Sequence, residues 1–287
     1  MPAPQYLMKA PANVYTAIGA NGKTFYVRND GTGLAMIDAD SCASLIAQGW
    51  QYADPVGKAA QDMRSAYILD QKGTPIILLS AATNISATGA ITGLTALPYT
   101  PSGVVRVYVF AQAGLAAGLY YATFSSATAC QLYLDAAATI TPNSITAGAY
   151  ASSTAEAVLV PDVLPGGALG ANGALRVETL QSHANSVSAK NILLRLGGSL
   201  CGSYGPTTTA SGGLRLSVRN RGSQAAQVMA FTSIGSGADW VTPRTSGVST
   251  ASINTAVDQP LTINGQLVSA ADYLILEGYT IEVLPGA

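Results

Sequence analysis

From residue 174 to the C-terminus, short apolar and β-branched runs recur between turns of glycine, serine and asparagine. The runs are Ala174–Leu180, Lys190–Leu196, Leu214–Asn220, Gln227–Phe231, Gln259–Val268 and Tyr273–Leu284, with punctuation such as Gly197-Gly198 and Arg221-Gly222. Within one run Leu214, Leu216 and Val218 alternate with Arg215, Ser217 and Arg219. A period of two puts the first set in a core and the second outside. Many short strands at such spacing predict an antiparallel sandwich or jelly roll. No strand–helix–strand rhythm accompanies them, which argues against a nucleotide-binding α/β fold.

The preceding residues divide by composition. Over 1–57, Val14–Ile18 and Thr24–Arg28 flank Gly19-Ala20-Asn21-Gly22, whose Asn-Gly pair favours a hairpin. Leu34–Ile37 reads as a further strand. Asp38 to Ser41 offer N-cap residues for a short helix through Ala43, Leu45, Ile46 and Ala47, stopped at Gly49. Trp50 is expected to pack back on that helix. Residues 58–74 carry more charge (Lys58, Asp62, Arg64, Asp70, Lys72) and read as a linker, or a short helix before a turn at Lys72-Gly73.

A first β-sandwich is expected over 75–160. Pro75–Leu79 is a buried strand, Val104–Phe110 alternates, and Leu119–Phe124 and Cys130–Leu134 form two strands joined by Ser125 to Thr128. Ala136–Ser153 reads as a surface excursion. Pro161, Pro165 and Gly166, Gly167 and Gly170 read as a linker into the C-terminal β-sandwich, 161–287. The expected fold is therefore mainly β: a small N-terminal β-hairpin/helix module followed by two antiparallel, jelly-roll-like β-sandwich domains.

Only 10% of the 287 residues are charged, against 48% hydrophobic, and the formal net charge is −1. Average proteins carry roughly 25% charge. A surface so poor in lysine and glutamate is solvated by hydroxyls, amides and backbone, which suits a protein locked in an assembly. Ala-rich codon bias in a high-GC host gives the same composition. No Lys/Arg run provides a nucleic-acid footprint; Arg215, Arg219 and Arg221 read as scattered solvent-facing charges. Val104–Ala122, the most apolar long window, is broken by Arg106, Gln112 and two glycines and fails as a membrane span. Met1–Lys9 does not read as a signal peptide. Cys42, Cys130 and Cys201 are odd in number and far apart, so they read as buried small hydrophobes in a reducing cytosol.

The search for chemistry finds no site. His183, the single histidine, lies in the polar stretch Gln181–Ser186 and reads as a solvated loop residue. A catalytic base needs a nucleophile and an orienting acid, and neither can be placed beside it. Paired carboxylates could cleave glycosidic bonds. The acids Asp135, Glu156, Asp162, Glu178, Asp239, Asp258 and Asp272 are isolated. Glu277 and Glu282, five apart, fall on opposite faces of an unbulged strand. Asp258 and Asp272 lack the Asp/Asn/Gly loop of a calcium site. Hence no catalytic, cofactor-binding or metal residues are expected, and no cofactor. Fourteen tyrosines against four phenylalanines fit either half-exposed strands or interfaces. Of Tyr120 and Tyr121, one should face the core and one the outside.

Several segments resemble structural proteins of tailed-bacteriophage particles. They are Gly114 to Ala129, with Gly118-Leu119-Tyr120-Tyr121 and Phe124-Ser125-Ser126-Ala127-Thr128-Ala129 inside it, followed by Tyr133; Gly173–Val177; Leu193–Gly198; Arg219–Ser223; and Asp258–Ile263 with Ala270–Asp272 and Leu274–Glu277. The N-terminal unit ending Leu45–Trp50 resembles short attachment modules of such chains. The resemblance covers about two-thirds of the chain. It implies a non-enzymatic virion protein made in the bacterial host cytoplasm, of the head-fibre or capsid-decoration type, or else a tail-fibre adaptor. It implies β-sandwich domains and a homotrimer, with the major capsid protein or other virion proteins as partners, and a host-surface glycan in the tail reading. Neither nucleic acid nor membrane is an expected partner. A small polysaccharide depolymerase is the enzymatic competitor.

Overall fold

The computed structural model describes residues 5–11, 16–18, 24–26, 34–38, 45, 48, 50–52, 67–229 and 248–286. The chain divides into two compact units, Met1–Ser65 and Ala66–Ala287. Among the described residues no helix is long and apolar enough to cross a membrane.

The first unit contains β1 (Gln5–Lys9), β2 (Thr16–Ile18), β3 (Thr24–Tyr26), β4 (Leu34–Asp38) and β5 (Gln51–Tyr52). Strands β2 and β3 pair antiparallel, as the Asn-Gly turn predicts. Strand β1, unassigned in the sequence reading, is central in the sheet β4-β1-β5. Met8, Phe25, Ala35, Ile37, Leu45 and Trp50 form its core. Most of the expected helix lies outside the described residues. At its expected end, Leu45 O accepts from Gln48 N and Trp50 N, both at 3.0 Å. The bond from five residues on is one that closes helix C-termini.

The second unit begins with β6 (Tyr67–Lys72), β7 (Ile76–Leu78), β8 (Ala82–Ile85), β9 (Ala90–Thr92), β10 (Val104–Val109), β11 (Gly118–Ser126), β12 (Ala129–Tyr133) and β13 (Gly148–Tyr150). It continues with β14 (Ala157–Leu164), β15 (Ala174–His183), β16 (Lys190–Leu196), β17 (Ser199–Tyr204) and β18 (Ser211–Asn220). The last are β19 (Gln227–Met229), β20 (Ser249–Ala251), β21 (Gln259–Leu267) and β22 (Leu274–Leu284). The unit is thus mainly β. Thirteen strands form one sheet in the order β13-β8-β9-β12-β11-β10-β7-β22-β15-β18-β19-β20, with β6 also beside β22. A second sheet runs β14-β21-β16-β17. The expectation of purely antiparallel sheets needs one correction: β7 and β10 pair parallel. The chain between them is long enough to cross over through β8 and β9, as a parallel pair requires.

Two cores lie on opposite faces of the large sheet where it is central. Along β7 and its next residue, Ile76 and Leu78 join one cluster, and Ile77 and Leu79 the other. Along β22, Leu274 and Leu276 join the first cluster and Ile275 the second. The first cluster also takes Leu261, Ile263 and Leu267 from the four-stranded sheet, so both sheets close over it. A strand buried on both faces reads as a continuous apolar run, which is what Ile76–Leu79 is.

Several segments differ from their sequence reading. Tyr67–Lys72 falls in the expected linker 58–74 yet forms β6, paired with the end of β22. Its polar residues hide the pattern because Ile68, Gln71 and Lys72 are exposed. The boundary drawn at 160/161 falls inside β14. Pro161 does not break that strand because β14 is at the edge of its sheet and bonds β21 on one side only. The excursion 136–153 is docked, with Ile145 and Tyr150 buried in the second cluster. Tyr150 Oη accepts from Phe110 N at 3.1 Å. Gly114 faces Ser144 so closely, at φ 82°, that a Cβ would overlap the Ser144 carbonyl. Tyr120 packs against the second cluster.

Two substitutions separate the shared wall from its rim. Ile281→Ala empties a fully buried site in β22 and should cost about 2–5 kcal/mol in denaturant unfolding. Ile68→Ala on β6, 57% exposed, should stay within about 0.5 kcal/mol of the parent.

Candidate functional site

Among the described residues, the densest group of buried ionisable side chains lies where three connections meet: 184–189 between β15 and β16, 205–210 between β17 and β18, and 268–273 between β21 and β22. Strand β15 leads into it. Its inward residues run Leu175, Val177, Thr179, Gln181, His183, from apolar to polar, and all are buried. His183 is therefore not a solvated loop residue. It is the last residue of β15, opposite Leu274, and fully buried. The sequence reading stopped the strand at Leu180 because the next residues are polar. The ladder to β22 and β18 carries it on.

Neither ring nitrogen of His183 makes a hydrogen bond of good geometry. Burial and then the nearby Lys190 ammonium push its pKa below the usual value. The backbone of Ala184 and Thr209 and the Asp272 carboxylate pull weakly the other way. At neutral pH the imidazole is neutral.

Lys190 is also fully buried, and Asp272 nearly so. Lys190 Nζ donates to Thr207 O at 2.7 Å and to Ser186 O and Oγ, each at 3.2 Å. Ser186 Oγ donates to Asp272 Oδ2 at 2.7 Å. Burial lowers the Lys190 pKa and Asp272 opposes the shift. A serine hydroxyl beside a lysine of lowered pKa has the composition of a nucleophile–base pair. Here the hydroxyl proton is committed to Asp272 and the ammonium to two backbone carbonyls, so the geometry serves to tie loops together. A sequence signal existed: a lysine at the start of an apolar run, Lys190-Asn191-Ile192-Leu193-Leu194, has an inward position to fill.

The other acids are dispersed. Asp135 accepts from Thr139 N, Thr139 Oγ1 and Ile140 N at 3.0, 2.7 and 2.7 Å. These turn bonds hold its carboxyl below the usual range. Glu156 takes a two-pronged contact from Arg195, 2.7 Å at each oxygen, plus Asn264 Nδ2 at 2.6 Å. The Arg195 contact leads in lowering its pKa. Asp162 accepts from Val163 N, and Asp258 from Gly166 N. Glu178 pairs with Arg215, and Glu282 with Arg176 at 2.7 Å. Arg219 and Arg221 are exposed. Asp239 lies outside the described residues.

Glu277 and Glu282 need a correction. Leu180 faces Gly278 while Gln181 faces Leu276, so Glu277 is the extra residue of a bulge. Inward positions shift from Leu274 and Leu276 to Tyr279, Ile281 and Val283. Both glutamates therefore lie on the same face. They do not form a pair: Tyr99 Oη donates to Glu277 at 2.5 Å, and Glu282 holds Arg176.

No group of three or more His, Cys, Asp or Glu placed to hold a metal occurs among the described residues. A shallow depression of about 440 Å³ runs over β9, β12 and β11. Cys130 in its lining is a buried thiol pushed up to about 12, and Cys201 is pushed up to about 11. Neither supplies a thiolate at neutral pH. Cys42 lies outside the described residues. Comparison with known protein families, curated proteins and solved structures found no match.

Lys190→Met should cost about 3 kcal/mol by thermal or urea unfolding, because it removes the cation near the buried Asp272 carboxylate and the donor to two carbonyls. Glu156→Gln should cost at most about 1 kcal/mol, since the Arg195 pair is partly solvated. The Glu156 contribution is present above the unfolded carboxyl pKa of 4.5 and is lost as pH falls through the lower folded value. The same titration on Glu156→Gln should lack that step.

Proposed function

We propose that this chain is a non-enzymatic structural protein of a tailed-bacteriophage particle, a capsid decoration or head-fibre protein. Residues 1–57 attach it to the shell, and residues 75–287 project as two jelly-roll-like β-sandwiches in a homotrimer. In this reading the large sheet and the four-stranded sheet are the two layers closing over the C-terminal core. The mechanism is burial of apolar and tyrosine surface between subunits and against the shell.

The observation that carries the reading is how the second unit is strung. The chain enters it at β6, where Tyr67 lies opposite Val283 near the end of β22. The loop cluster around His183 lies at the other end of the same strand, beside Leu274. Nine residues of β22 separate the two by roughly 30 Å. The unit's entry strand and its loop end thus lie at opposite ends of β22. The surface is correspondingly poor in charge, with 10% charged residues in the whole chain, and Val187 and Val268 are exposed at that end.

One feature favours a second reading, a tail-fibre adaptor that holds a host-surface glycan. The same loops expose Asn185 and Thr207 to Thr209, amide and hydroxyl groups able to hydrogen-bond sugar hydroxyls.

The deciding experiment is the copy number of the chain in purified particles, by quantitative mass spectrometry against the major capsid protein. A ratio between about one to one and one to a few supports shell decoration, where each shell subunit offers equivalent sites. A ratio near one to a hundred moves the chain to the tail, where competition with particles for host cells should then be seen. Absence from the particle overturns both, and release of soluble sugar from host polysaccharide overturns the non-enzymatic claim.

A further inference from the structure

Among the described residues of the second unit, the single histidine sits where three connections between the two sheets, a buried lysine and a buried carboxylate converge. We propose that this loop end is an acid-sensitive latch, closed while the His183 imidazole is neutral and loosened when it takes up a proton.

The backbone of Ala184 and Thr209 lies beside the imidazole, but burial and Lys190 outweigh what it offers a charged ring. The ring is fully buried, and neither nitrogen has a well-formed hydrogen bond. The charged side chains facing it are Lys190 from β16 and Asp272 from the 268–273 connection. Ser186 already holds Asp272 Oδ2, and Lys190 sits on the same hydroxyl. Connections 184–189 and 205–210 carry no ionisable side chain, nor do Leu79, Ser80 and Ala81, whose last member bonds Ala270 O. Adjacent Tyr273 remains neutral because burial raises its phenol. A protonated ring would therefore be desolvated beside a like charge, with one carboxylate already shared.

Opening is the available relief, because the bonds that hold the end shut lie in the loops themselves. Beyond the strand ladders, backbone bonds run from His183 N to Ala210 O, Ala184 N to Tyr273 O, Lys190 N to Pro206 O and Val268 N to Ala189 O, at 2.9–3.2 Å, and the Lys190–Thr207 and Ser186–Asp272 side-chain bonds join them. The inward column above them, Thr179 and Gln181, is polar and contributes little apolar burial. Such regions open locally before the rest of a domain.

The sign follows from the lowered pKa. The open loop end binds a proton near the ordinary value of 6.5, and the closed one only at lower pH. As pH falls below 6.5, the open-to-closed ratio rises by up to tenfold per unit, then levels once the closed form also protonates. Above 6.5 it is flat.

Nuclear magnetic resonance on the full chain tests this, since one histidine gives one set of ring resonances. The ring titration is followed together with amide protection in 184–189, 205–210 and 268–273, between about pH 7.5 and about pH 5. The parent is compared with His183→Phe and His183→Gln. The expected result is a His183 pKa below 6.5 and loop protection that falls by up to tenfold per unit in the parent but stays flat in both variants. Amides of β10 to β12 should be unaffected. A His183 pKa at or above 6.5 in the closed protein overturns the latch. So does loop protection that does not fall, or that falls equally without the histidine. Should neither variant fold, the parent decides alone: a low pKa with falling loop protection supports the latch, and any other combination overturns it.

Discussion

Strands β7 and β22 lie side by side with apolar side chains on both faces, and the second unit is built outward from that contact. Leu274 pairs with Leu78, Ile275 with Ile77 and Leu276 with Ile76, all essentially excluded from solvent. Full burial of each such side chain is worth about 1.5–3 kcal/mol. Because the side-chain period is two, adjacent residues serve different cores. Register is therefore fixed from two sides at once, since a one-residue slip would exchange the two sets. The last strand of that wall, β22, also pairs with β6, the first strand of the unit, which ties its ends together.

Much of this is legible in the sequence, and the failures have physical causes. The alternation Leu214, Leu216, Val218 gives the inward face of β18 as found. The run Ile76–Leu79 announces a doubly buried strand, although nothing in it says which core takes which residue. The parallel pairing of β7 with β10 is a matter of tertiary contact between segments about 30 residues apart, and local pattern does not encode it. Three polar or proline-bearing segments are misread for one reason. Edge strands and polar strand ends satisfy their backbone through a neighbour, so β6, β14 and the end of β15 need no apolar run of their own.

The loop end shows the same limit where function is concerned. Lys190, Asp272, Ser186 and His183 are spread over nearly ninety residues and meet only because β15, β16 and β22 begin or end there. Read singly they are a strand lysine, a stray acid and a polar-turn histidine. Together they are a buried charge network, which costs more to break than to keep. The bulge at Glu277 is invisible in sequence too, and it reverses which acids share a face of β22. What composition does convey is the character of the surface, short of charge and rich in hydroxyls.

The claim on which this account rests is that one shared wall makes both cores a single cooperative unit. Native-state hydrogen exchange by mass spectrometry, in a series of sub-denaturing guanidinium concentrations, tests it most directly. Peptides of the second core, from β10 to β12, and of the first, from β16 and β21, should converge on one opening free energy, together with β7 and β22. Two separate opening energies, with β7 and β22 following only one core, would contradict the account and make the unit two independent domains.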